Sequence, residues 1–334
     1  MSENSQVPFH QRRRQQFLDE AAWRFTSEWV PTHTLHDIQV ALADPDLSEE
    51  LRVAELTRKA REYYRLFALD YTAGASLDSL RDDLEVVVSA YVEAAQAERK
   101  YEEEGALPFF DFKHLDDYVR VLALLSLSIL LHREDLIPAV HSLFKDGAPD
   151  KADALVEDLL GKYLDDRPFL DVWFHDMPFR HLLDVTANTP PDEKLADMKK
   201  YLKAWYRGMA STAWHDSHKE QSPKGVGAYT GYWAFEAAAT AYLYEMDDAE
   251  LDHLVFPKDL LAFARSMPRR SVAEATSQER LRLRCEAGHA CPREGWWSTP
   301  AKLDSRRRFR AGETMPAIES DWGRTIWGWD LKQD

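Results

Sequence analysis

Glu236 lies inside the apolar stretch TGYWAFEAAATAYLYEMDD (230–248). Tyr232, Ala239, Leu243 and Met246 fall on one helical face at steps of three or four, and Glu236 sits among them. A carboxylate there is costly unless it is paired or hydrogen-bonded. Just upstream, WHDSH places His215 and His218 three apart, on a helix expected over 191–218. Two imidazoles on one helical face, with Asp216 or Glu236 as a further ligand, are the ingredients of a metal site and of a metal-dependent hydrolase. The pattern is looser than the HExxH signature. The simpler reading is a structural polar cluster of His215, His218 and Glu236, with a histidine or an arginine satisfying the carboxylate. On that reading Glu236→Gln lowers thermal stability.

Cys285, His289 and Cys291 form a second candidate. Their C-x5-C spacing has no following ligand pair, so two reduced thiols are expected rather than zinc. The chain carries no GxxxxGK[ST], no GxGxxG after a strand and no GxSxG elbow. No catalytic set, cofactor or metal is expected from these patterns.

Acidic residues are the more persistent signal. Glu102, Glu103 and Glu104, then Asp116 and Asp117, Asp165 and Asp166, and Asp247 and Asp248 recur along the chain. Each cluster suits a solvated helix end. Together they make a field that speeds association with a basic partner. The formal net charge is −16, which disfavours binding to nucleic acid or to an anionic membrane. All of it lies before residue 285, because 285–334 holds eight basic and eight acidic residues.

The elements that must position these residues are helical. Glycine is scarce, at 13 of 334 residues, and long stretches are rich in Ala, Leu, Glu, Asp and Arg. YYRLFALDYTAGASLDSLRDDLEVVVSAYVEAAQAE (63–98) reads as two helices with a sharp joint. Gly74 suits the left-handed position past the first helix, and Ser76 caps the second. VRVLALLSLSILL (119–131) is 13 residues long, too short to span a bilayer, and marks a core helix over about 112–132. Acidic helices are expected near 134–165. The N-terminus, MSENSQVPFHQRRRQQ, lacks the apolar run of a signal peptide. A cytoplasmic location is expected.

After residue 284 the chain becomes rich in Trp, Gly and Pro. An irregular or β-rich appendix is expected there, too short to hold much core of its own. The fold expected is all-α: an N-terminal helical region over 1–132, a C-terminal one over 133–284, and the appendix over 285–334.

GYWAFEAAATAYLYEMDD with FPKDLLAFAR (256–265), preceded by WYRGMASTAWHDSHK (205–219), resembles the C-terminal region of PoNi-type immunity proteins. Residues 63–91 resemble the N-terminal region of that family, extending the likeness over roughly 12–268. Phe256 departs from the tyrosine expected before Pro-Lys-Asp. The C-x5-C-P, G-W-W, F-x-A-G-x-x-M-P and W-x-W elements of the tail resemble tails of type VI secretion immunity proteins. The resemblance implies a protein that is no enzyme and that blocks a cognate toxin, a DNase in the PoNe pairs. The four acidic clusters are then the expected toxin contacts. A helical scaffold or adaptor is the other non-enzymatic reading.

Overall fold

The computed structural model describes residues 7–187, 189–220, 227–267, 284–299, 302, 305–318 and 325–330. Most of the described chain is helical, with a small antiparallel sheet at its C-terminal end. The helices are α1 (Phe9–Arg12), α2 (Glu20–Trp29), α3 (Leu35–Ala43), α4 (Glu49–Ala73), α5 (Leu77–Tyr101), α6 (Leu115–Leu130), α7 (Ile137–Ser142), α8 (Ala154–Leu160), α9 (Phe179–Thr186), α10 (Pro191–Gly208), α11 (Phe235–Leu243) and α12 (Lys258–Ser266). A five-residue π-helical turn, Val30–Thr34, joins α2 to α3.

The longest pair, α4 and α5, packs side by side across the predicted joint. Gly74 adopts φ +88°, and its N–H closes on the Asp70 and Tyr71 carbonyls. Ser76 then caps α5 by accepting from Ser79 N at 3.1 Å. A side chain at position 74 would be strained twice over. The left-handed backbone disfavours a Cβ, and that Cβ would run into the carbonyl of Arg12. Gly74→Ala is therefore expected to cost about 1–2 kcal/mol for the backbone conformation alone, with the clash added. A urea melt measures it; a loss under 0.5 kcal/mol would mean that the N-terminal segment yields freely.

That segment is a clip. Arg12 donates to Ala73 O, and Arg14 donates to Tyr71 O and Ala75 O. The Gln15 amide nitrogen donates to Tyr232 O and Leu254 O, and its carbonyl accepts from Tyr232 N and from the Tyr229 hydroxyl. A buried glutamine with every polar group used ties the first residues to the stretch before α11.

α6 is the central helix. Most of its length is buried, and it packs against α11, α12, α7 and α8. One apolar cluster runs from Phe9 to Ala264, continuous across residue 132. α8 lies in the stretch where acidic helices are expected, and all seven of its residues are buried, Glu157 and Asp158 included.

The sheet has the order β1–β4–β2–β3, where β1 is Arg284–Glu286, β2 Gly295–Ser298, β3 Arg307–Phe309 and β4 Ile326–Trp329. It encloses a small core of Cys285, Cys291, Trp297, Phe309, Met315 and Trp327. The thiols are free, and burial pushes that of Cys285 up to about 12, which keeps it protonated and unreactive. The appendix touches the helical body where the ring of Phe169 fills the space a Cβ of Gly328 would need.

Candidate functional site

Glu236 sits in the first turn of α11 and is 1% exposed. Its Oε1 accepts from the Tyr201 hydroxyl at 2.5 Å and from Trp205 Nε1 at 2.8 Å. Tyr201 and Trp205 are one turn apart on α10, so one helix presents both donors to one oxygen. The expected histidine or arginine partner is thus replaced by two neutral aromatic donors. Oε2 has no hydrogen-bond partner. Burial raises the pKa of the carboxyl, and the two aromatic donors offset that only in part. The surroundings therefore favour the protonated form more than water does.

His215 and His218 do not join it. α10 ends at Gly208, ten residues before His218, so the pair does not share a helical face. The following segment turns through Met209–Asp216, where Asp216 adopts φ +63°. His218 lies in a short 3-10 turn, where Nδ1 hydrogen-bonds with the Tyr232 hydroxyl at 2.8 Å and the ring packs on Phe17. His215 packs on Tyr206, whose hydroxyl donates to Asp216 at 2.5 Å. The arrangement is an aromatic-lined joint between elements.

Among the described residues, the one group with metal-ligand spacing is elsewhere: His181 and Asp184 on α9 with Asp197 on α10, their ligand atoms within 4.8 Å of one another. Asp197 there already accepts from the Lys200 ammonium at 2.7 Å, which supplies the positive charge a cation would bring.

The most heavily buried Arg or Lys among the described residues was invisible in the DDR tripeptide that ends at Arg167. Arg167 is 5% exposed. Its guanidinium bridges Glu157 of α8, with Nε at 2.7 Å from Oε2 and Nη2 against Oε1, and it donates to Asp150 at 2.6 Å. His141 of α7 completes the group, 3.0 Å from Asp150. Burial opposes the Asp150 charge, but the bonds from Asp146 N, Arg167 and His141 outweigh it and hold the carboxyl down at about 2. A lone arginine beside Pro168 and an aromatic run was the only available signal.

The acidic clusters differ in their engagement. Glu102, Glu103 and Glu104 are exposed where α5 ends. Asp165, Asp166 and Asp247 are also exposed. Asp116 instead accepts from Ala213 N, Asp117 from Asp111 N, and Asp248 pairs with Arg265. Those three carboxylates serve the body's own joints.

A mostly helical body closed by a small β appendix, with its internal charges consumed by its own packing, is the class of protein these features define. Residues 151–260 match the family described as PoNe immunity proteins (PoNi), C-terminal. The matched region holds α8 to α11. The chain is also similar in fold to the crystal structure of protein PA2201 from Pseudomonas aeruginosa, at 20% identity and a TM-score of 0.57, covering 76% of this chain and 91% of that one. No curated protein matches. No helix among the described residues is long and apolar enough to cross a membrane.

Proposed function

We propose that this chain is an immunity protein that binds a cognate secreted toxin in the cytoplasm of the producing cell and inhibits it without catalysing a reaction. The match to the PoNi C-terminal region carries the reading. The net charge of −16 supports its electrostatic half. A nuclease holds its substrate largely through phosphate contacts in a cationic groove. An acidic protein covering that groove excludes the substrate by occupying the same charges. The toxin is then a DNase of the PoNe kind, delivered by type VI secretion.

Co-expression with the product of the adjacent toxin gene tests this. Viability is expected to be restored, with a complex that survives purification and weakens steeply as salt rises. Failure to restore viability or to form a complex would sink the immunity role. A complex indifferent to salt would sink the charge mechanism alone.

A further inference from the structure

Phe25, Trp29 and His33 stack in a column along α2 and the π-helical turn that follows it. The Phe25 and Trp29 rings lie 5.5 Å apart at 12°, and the Trp29 and His33 rings 3.7 Å apart at 5°. Trp29 is 46% exposed, the one tryptophan in the exposed class among the described residues. Val40 on α3 and Leu51 on α4 are 58% and 56% exposed. Large apolar side chains are thus left in solvent on three successive elements, on a lobe that meets the rest of the body mainly through α4. π-Helical turns within α-helical stretches are frequent at functional sites. Here the turn continues the column, since it carries His33 beneath Trp29.

The same stretch is strongly charged. Residues 19–55 hold nine acidic side chains and two basic ones. Glu28, Asp37 and Glu50 are exposed and make no ion pair among the described residues. An aromatic anchor in an acidic surround has the composition of a binding hot spot for a basic partner. The stacking orders Trp29 before any partner arrives, so little rotamer freedom is left to lose on binding. With a ring stacked on either side, it is the edge of the indole that stands in solvent, apolar contact area beside carboxylates that suit the cations of a basic partner.

We propose that this lobe, from α2 to the start of α4, is the docking face for the cationic groove of the toxin, with Trp29 as its central anchor. The proposal rests on the immunity reading and adds to it the surface that does the work. That surface lies outside residues 151–260, which match the family.

The test uses the full-length chain and the purified product of the adjacent toxin gene carrying an inactivating substitution. Trp29→Ala is expected to weaken the complex at least about tenfold, against only a small fall in melting temperature from the two lost ring contacts. Replacing Glu28, Asp37 and Glu50 by Gln, Asn and Gln is expected to slow association and flatten its salt dependence. Asp165→Asn with Asp247→Asn, on other surfaces, is expected to bind as the parent does. If the parent binds and both lobe variants bind equally well, the docking face is wrong while the immunity role stands. If the parent does not bind, the immunity role falls and this inference falls with it.

Discussion

Arg167→Ala is expected to destabilise the protein by roughly 3–5 kcal/mol, measured as a fall in the urea midpoint. The loss comes less from the missing attraction than from what stays behind. Glu157 is buried on α8, and without the guanidinium its charge has neither water nor a counter-ion. Arg167→Met with Glu157→Met is expected to recover most of the stability, because two apolar side chains of similar volume need no partner. A double variant as unstable as the single one would show that the guanidinium fixes geometry that apolar packing cannot replace. The pH dependence has a definite sign. Asp150 is held at about 2 in the folded state, below its unfolded value, so its contribution is present above pH ~4 and disappears as pH falls through about 2. Asp150→Asn should flatten the acid limb of the stability curve over that window.

Glu236→Ala is expected to cost roughly 2–5 kcal/mol, from two buried donors left unsatisfied and the cavity the side chain vacates. Tyr201 and Trp205 both donate to this one carboxyl oxygen. Glu236→Gln should behave quite differently from the sequence-based expectation of a loss. Its amide carbonyl can accept both bonds, and the carboxyl it replaces also has its second oxygen without a partner. A change within about 1 kcal/mol is expected. Because burial raises the pKa of Glu236, the parent is favoured below the unfolded carboxyl value of ~4.3 and loses that advantage as pH rises through the folded value. The Gln variant should lose this part of the pH dependence. A Gln variant that melts far below the parent at neutral pH would mean that the ionised carboxylate is the form the fold requires.

These two sites also show where reading along the chain stops. Short-range features were legible. The joint at Gly74 and Ser76 depends on residues within one turn of each other, and it formed as its residue types require. α6 was visible as an unbroken apolar run, and the tail as a change in composition that became a sheet around its tryptophans. The end of α10 was missed because the apolar period continues through Met209 and Trp214 after the helical hydrogen bonds have stopped. The partner of Glu236 was missed because aromatic donors on another helix leave no mark in its own stretch. Glu236 and Tyr201 are 35 residues apart, and Gln15 and Tyr232 are 217 apart.

Propensity, capping and apolar period act between neighbours three or four positions apart, so the chain by itself determined the helical class, the joint, the core helix and the acidic balance. Which buried charge meets which partner depends on how helices are laid against one another, and only the tertiary structure decided that. It gave Glu236 its two aromatic donors, gave Arg167 its carboxylates and left Trp29 half exposed. The physical reason is that a polar group's burial cost is fixed locally, whereas the group that offsets it is supplied by whichever surface the packing brings within 3 Å or so.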